Sequence, residues 1–324
     1  VRRRPVRLGA ALALLVVLAP AAGAQTPEFD LQAHRGGRGE TTEESLRAFT
    51  KSLELGVSTL ELDINITRDG QPLVWHDPTI DAEKCADTGP AFAGDPQYPY
   101  VGKLVHELTL NQIRTLDCGR RLVEFPDAEV VRGNKIAVLA EVFALADSYH
   151  AAVRYNVETK VAADKPGTSA DPQQFVDVIL AAVRSAGKVG RVEIQSFDWR
   201  TLPMVRREEP SIPLVALYNE DTWVPDSPWL AGANATAIGD PMIGAKLVGA
   251  DIISPRYQLV AGQPYVDRAH ALGLKVIPWT VDDAAAMREQ IADGVDGIIT
   301  DYPTRLRGVL ADLGMPLPPA YHRG

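Results

Sequence analysis

Cysteine is scarce in this chain: 324 residues hold two, Cys85 and Cys118. With no histidine pair beside them they do not make a zinc site. The apolar run near the start, from about Leu8 to Leu18, falls short of the ~20 residues a spanning helix needs, and Pro20 follows it. Basic residues are in deficit, 33 Lys and Arg against 42 Asp and Glu, for a net charge of -9. An acidic balance argues against a nucleic-acid partner. Nucleotide-loop signatures are missing as well. In "HRGGRGETTEES" no third glycine stands at the dinucleotide spacing, and no Gly-Lys-Ser/Thr follows. There is no internal repeat or low-complexity tract.

The short apolar run has a basic start, "VRRRPVR", and ends near the small residues Ala22-Gly23-Ala24. That is the pattern of a secretory signal peptide over residues 1–24. Its removal takes away Arg2, Arg3, Arg4 and Arg7 and no acid, moving the net charge from -9 to -13. The expectation is an exported protein, periplasmic or extracellular, with no stable membrane insertion after cleavage. In an oxidising compartment an even pair of cysteines in a loop-rich region suggests a Cys85–Cys118 disulfide, with two free buried thiols as the alternative.

Over residues 25–324, strand-like and helix-like segments alternate. Strand patterns fall at 29–34, 59–64 with a continuation at 72–76, 152–158, 192–196, 213–217, 251–254, 274–279 and 297–300. Helical patterns fall between them at 42–55, 109–116, 138–149, 172–186, 199–208, 264–272, 282–292 and 303–313. The recurrence of Phe175, Val178, Ile179, Ala182 and Val183 is typical of these. Near-strict alternation implies a parallel sheet covered by helices. This number of strands in one domain favours a closed (β/α)8 TIM barrel. Residues 77–108, rich in Pro, Gly, Asp and Tyr, break the rhythm after the second strand. An insertion of that length is usually functional, and here it would roof the mouth of the barrel. Residues 223–244 are a second irregular stretch.

Charge inside a barrel strand needs a reason. In "TLELDINI", Glu61 and Asp63 alternate with Leu60, Leu62 and Ile64, which puts both carboxylates on one face. Like charges that close repel unless one is protonated or a cation lies between them. Oxygen ligands of this kind suit Ca2+ or Mg2+. "VRYNVETK" repeats the alternation with Asn156, Glu158 and Lys160, and "VEIQSF" with Glu193 and Gln195. His34 and His76 end two of the strand patterns, where barrel active sites sit. His106, His150, His270 and His322 have no such setting. Arg35, beside His34, is well shaped for phosphate oxygens. Thr41 and Glu44 have the spacing of a capping box for the helix that follows.

Taken in order, "HRGGRGETTEESLRAF", "ELDINITRDGQPLVWHDPTI", "VETK", "QSFDWRTL", "PWTVDD" and "DGIITDYP" resemble the glycerophosphodiester phosphodiesterase family over about residues 29–308. The resemblance implies a (β/α)8 barrel with an insertion after the second strand. It implies metal-dependent hydrolysis of small-molecule glycerophosphodiesters, such as glycerophosphocholine or glycerophosphoethanolamine, to glycerol 3-phosphate and an alcohol. By the same resemblance Glu61, Asp63 and Glu158 are the metal ligands and His34 and His76 the acid–base pair. Arg35 and Lys160 hold the phosphate, and Gln195 and Trp279 line the pocket. One departure stands out. The family usually has Pro-Glu-Asn-Thr where this chain has Thr42-Glu43-Glu44-Ser45. Glu43 keeps the acidic position and is expected to orient the His34-Arg35 turn. Glu44 puts a charge where the amide stands. The alternatives are a phospholipase D-like barrel acting on lysophospholipids or sphingomyelin, and a non-catalytic barrel that captures phosphodiesters. A lipid enzyme needs an apolar rim, and the insertion offers only Phe92, Tyr98 and Tyr100. A capture protein predicts loss of a histidine or a carboxylate, and all are present.

Overall fold

A computed structural model describes Val1 and residues 28–323 of the chain. Apart from Val1, the expected signal segment lies outside the described residues. The described strands form one sheet: β1 (Asp30–Ala33), β2 (Thr59–Ile66), β3 (Pro72–Val74), β4 (Arg154–Thr159), β5 (Val192–Ser196), β6 (Leu214–Tyr218), β7 (Ile252–Pro255), β8 (Lys275–Val276) and β9 (Gly297–Thr300). All except β3 are parallel, in the order β8-β7-β6-β5-β4-β2-β1-β9. Between the two ends, Asp296 N donates to Val276 O at 2.9 Å and Ile299 N to Pro278 O at 3.0 Å. The sheet thus closes on itself as the expected (β/α)8 barrel.

One parity of each strand packs outward. Leu60, Leu62 and Ile64 of β2, Tyr155 and Val157 of β4 and Ile194 of β5 share a buried layer with the surrounding helices. The helix Pro172–Ser185 shows how its sequence builds that layer. Asp171 caps it by accepting from Gln174 N, and Pro172 sits at the start where its missing N–H costs nothing. Phe175, Val176, Ile179, Leu180 and Val183 then recur on one buried face. Truncating Ile179 to Ala would cost about 2–5 kcal/mol. The other parity faces the barrel axis. On β1 to β5 it is polar, with Gln32, Glu61, Asp63, Asn156, Glu158, Glu193 and Gln195 all buried. From β6 round to β9 it is an apolar plug of Val215, Ile252, Ile299 and Ile277, the last just after β8. No described helix is long and apolar enough to cross a membrane.

Two expectations change in detail. Residues 72–76 do not continue the second strand. The turn at "TRDG" closes with Gly70 N on Thr67 O at 2.9 Å, and β3 returns antiparallel with Val74 opposite Ile64. Asp and Gly supply the turn chemistry. The insertion also runs further than 108, to residue 138, and the helix expected over 109–116 is a single turn, Leu110–Ile113. Beyond it the chain is drawn away. Asp117 N donates to Ala86 O at 3.0 Å, and Leu116 and Cys118 join a separate small core with Trp75, Ile80, Cys85 and Tyr100. Cys85 and Cys118 form a disulfide, with S–S 2.08 Å. The irregular stretch over 223–244 contains one short helix, Ala235–Ile238, capped by Asn234, and the start of another, Pro241–Leu247.

Candidate active site

Strand register assembles the carboxylates. Asp63 on β2 pairs directly with Glu158 on β4, and Glu61, two residues earlier on the same face, pairs with Asn156. Glu61, Asp63 and Glu158 each offer an oxygen, and the three lie within 4.8 Å of one another. Burial and the neighbouring Asp63 push the Glu61 carboxyl well above its usual range. Burial, only partly offset by Lys160, pushes Glu158 up to about 7. Asp63 goes the other way. Burial opposes its charge, but Lys160 and Arg35 outweigh it and hold the carboxylate well below its usual range. Arg35 Nε lies 3.0 Å from Asp63 Oδ2 as an ion pair, yet its N–H is not aligned, and this buried oxygen has no hydrogen-bond donor. Mutually repelling buried oxygens, one of them without a donor, fit a hard divalent cation.

The two histidines sit at strand ends, each backed by a carboxylate. His34 follows β1, and its Nδ1 lies 2.5 Å from Asp301 Oδ1 just after β9. The carboxylate accepts, so Nδ1 carries the proton and Nε2 faces Glu61 Oε2 at 4.0 Å. Burial of Asp301 is outweighed by His34, which keeps its pKa low. His76 follows β3, with Nδ1 at 2.8 Å from Asp77 Oδ1. Burial, helped by Lys160 and Arg35, pushes His76 down to about 3.

The turn between β1 and its helix aims Arg35. Its φ of 49° is left-handed, a conformation that a non-glycine residue holds only under constraint. The constraints are several. Arg35 N donates to Glu61 Oε2 at 2.8 Å, and Nη1 to Glu43 Oε1 at 3.2 Å. Gly36, at φ 76°, leaves no room for a side chain, since a Cβ there would stand 2.9 Å from Ala48 Cβ. Glu43 is the hub behind the turn. Its carboxylate also meets Arg38 Nε at 2.8 Å and Lys84 Nζ at 2.7 Å. Burial works against the charge, but these cations bring Glu43 down to about 2.

Glu44 does not complete a capping box with Thr41. Ser45 is the cap, accepting from Ala48 N at 3.0 Å. Glu44 has φ 55° and turns inward, where Oε1 accepts from Asp63 N at 2.9 Å. A residue in the left-handed region cannot serve as a helical N3 position. Burial beside Asp63 raises its pKa well above the usual range.

A cavity of about 220 Å³ opens at the carboxyl ends of the strands. His34, His76, Arg35, Lys160, Glu61 and Glu158 line it. Every site residue expected from the sequence is in or directly behind it. Lys160 Nζ donates to Glu158 Oε1 at 2.8 Å. Gln195 Nε2 donates to Glu61 Oε1 at 2.6 Å, which makes it a positioner of that carboxylate as well as part of the wall. Trp279 is fixed by Nε1 on Ser254 O at 3.0 Å and meets Phe197 edge-on at 5.3 Å. Arg38, Lys84, Phe197 and Asp301 belong to the assembly and were not singled out from the sequence. Asp301 shares inward parity with Ile299, a signal that was available. Lys84 lies in a segment without period and carried none.

A profile of the glycerophosphoryl diester phosphodiesterase family matches residues 34–305. The chain belongs to this family. Among its relatives, the glycerophosphodiester phosphodiesterase of Caldanaerobacter subterraneus is 28% identical over 274 residues, 85% of this chain and 94% of that protein. A crystal structure from Silicibacter pomeroyi, of a protein assigned to the same family, superposes with TM-score 0.75 at 29% identity and covers 89% and 95% of the two chains. An Oleispira antarctica phosphodiesterase, solved with its product sn-glycerol 3-phosphate, shares the fold with TM-score 0.63 at 16% identity over 87% and 96%. The chain is therefore an enzyme of the phosphoric diester hydrolase class, as its cavity chemistry indicates.

Proposed function

We propose that the protein hydrolyses glycerophosphodiesters such as glycerophosphocholine or glycerophosphoethanolamine to glycerol 3-phosphate and an alcohol. The observation that carries this reading is the convergence of two carboxylate-backed imidazoles, two cations and a buried carboxylate cluster on one cavity. Glu61, Asp63 and Glu158 hold a divalent cation, Ca2+ or Mg2+. When bound, such a cation neutralises the diester and polarises a phosphoryl oxygen. Arg35 and Lys160 take the remaining phosphoryl oxygens, where negative charge grows as the attacking oxygen bonds to phosphorus. One imidazole, His34 or His76, accepts the proton of the attacking group. The other, entering as the imidazolium, gives its Nε2 proton to the alkoxide as its bond to phosphorus breaks, and solvent restores both protonation states. Asp301 and Asp77 fix the tautomers through Nδ1, so that both Nε2 atoms are free for proton transfer. Gln195 keeps Glu61 in place, and Glu43 keeps Arg35 aimed. Trp279 and Phe197 supply an apolar wall for the carbon skeleton.

Soluble substrates are favoured over intact lipids. Tyr100 is buried within the insertion and donates to Asp95 Oδ2 at 2.6 Å, which leaves Phe92, Tyr98 and Val123 as its exposed large apolar residues, too few for the apolar rim a lipid enzyme needs. Residues 25–324 act as one domain, and residues 1–24 direct export. The Cys85–Cys118 bridge supports that placement, since disulfides persist in oxidising compartments. Phosphorus NMR of a glycerophosphocholine digest tests the reaction. A glycerol 3-phosphate resonance is the expected product. A phosphocholine resonance, or an unchanged diester, would overturn the reading.

A further inference from the structure

The insertion sends one cation down into the site from outside the barrel. Lys84 Nζ lies 2.5 Å from Asp77 Oδ2 and 2.7 Å from Glu43 Oε1. Its side chain is only 11% exposed, and the ammonium stands 5.1 Å from the centre of the buried Trp75 ring. Two carboxylates and an aromatic face thus hold it. The two carboxylates belong to different parts of the site. Asp77 holds His76 through its other oxygen at 2.8 Å. Glu43 holds Arg35 and Arg38. Without a cation between them, Asp77 and Glu43 would repel each other, and the turn after β1 would part from the end of β3.

The backbone at Lys84 is anchored at both sides. Cys85 is bonded to Cys118, Arg120 N donates to Lys84 O at 3.2 Å, and Ala86 and Asp117 exchange a pair of backbone hydrogen bonds at 2.8 and 3.0 Å. An ammonium on a long stem loses side-chain entropy when fixed in this way, and the anchored backbone reduces what must be ordered.

We propose that Lys84 is a positioning residue for the phosphodiesterase reaction. It ties the His76–Asp77 pair to the Glu43–Arg35 pair, so that the proton-transfer group and the phosphate-binding group are set by one shared charge. This rests on the assignment of His76 to proton transfer.

The test is a double-mutant cycle on the full enzyme with glycerophosphocholine. Lys84→Met is expected to lower kcat by about 10- to 100-fold, the range found for residues that orient a primary contact. Lys84→Arg, which keeps the charge, is expected to recover most of it. In an Asp77→Asn background the same Lys84→Met change should cost less than threefold, because the tie has already lost its His76 end and Glu43 alone does not link the two pairs. Thermal unfolding of each variant confirms that it is folded. Equal losses in both backgrounds, or no recovery with Arg, would overturn the proposal in favour of a purely structural lysine. Wild-type kcat in Lys84→Met would overturn it outright. His76→Ala separates the two claims. If His76→Ala is inactive while Lys84→Met is unimpaired, the inference fails alone. If His76→Ala is fully active, the underlying assignment fails.

Discussion

Asp63 and Glu158 face each other as direct partners on adjacent parallel strands, inside the barrel and with almost no exposure to water. A protein does not place two acids in that register for stability. Lys160 offsets part of the repulsion, with Nζ at 2.8 Å from Glu158 and 3.7 Å from Asp63. Glu61 adds a third carboxylate. The arrangement makes sense as a cation site whose electrostatic cost is relieved by binding.

That cost has a sign that can be measured. In the folded protein without a cation, Glu158 is raised to about 7. A carboxyl raised on folding contributes its full stability below its unfolded pKa, near 4.3, and loses it as pH rises through the folded value. Chelated protein should therefore lose thermal stability between about pH 4.3 and 7. Glu158→Gln should flatten that fall, and saturating Ca2+ or Mg2+ should raise the Tm of the wild type at pH 8 but not of the variant. An identical pH profile for both proteins would contradict the account.

Glu193 gives a second window, away from the site. Burial and the nearby Asp30 push it up to about 8 at the opposite end of the barrel interior, where Gln32 Nε2 donates to it at 2.9 Å. By the same sign, its share of stability is lost as pH rises from about 4.3 towards 8. Glu193→Gln keeps an acceptor for Gln32. It should raise Tm at pH 8.5 by about 2 °C or more and change it little at pH 4. Scanning calorimetry at the two pH values checks this, and a larger gain at the acid end would be the wrong sign.

His34→Ala and His76→Ala should each lower kcat by about 10²- to 10⁴-fold, the contribution usual for general acid–base groups. Circular dichroism should show both variants folded, because neither ring belongs to the packed layer. Initial rates within threefold of wild type in either variant would remove that histidine from the mechanism.

The disulfide closes a separation of 33 residues across the insertion. Loop-closure entropy puts its contribution at about 3–4 kcal/mol. The Cys85→Ala/Cys118→Ala variant should lose about that much unfolding free energy in urea, with a lower midpoint and a transition slope that is equal or steeper because its unfolded chain is less constrained. An unchanged midpoint would show that the hydrogen bonds around Lys84 suffice to hold the insertion.

The site was legible in the sequence wherever parity or a strand end announced it. Glu61, Asp63 and Glu158 alternate with apolar residues, and His34 ends a strand pattern, so periodicity placed them at the mouth; His76 was placed there by a strand continuation that is in fact the antiparallel return of β3. Lys84 could not be found this way. It is positioned by Cys118, far along the chain, and by carboxylates that follow two different strands, and such long-range contacts leave no local pattern. The end of the insertion was hidden for a related reason. Helical spacing over 109–116 gives way because Leu116 and Cys118 are recruited into a small core that forms only when the insertion folds back. Glu44 was misread because its spacing suits a cap. The pull of the Asp63 amide, on a neighbouring strand, decides otherwise.

The central claim is that the carboxylate cluster and the two imidazoles form one metal-dependent phosphodiesterase site. It is tested most directly by measuring glycerol 3-phosphate release from glycerophosphocholine before chelation, after chelation, and after Ca2+ or Mg2+ is restored. The account predicts activity that is lost on chelation and returns with at least one of the two ions. Undiminished release from chelated, metal-free protein would contradict it.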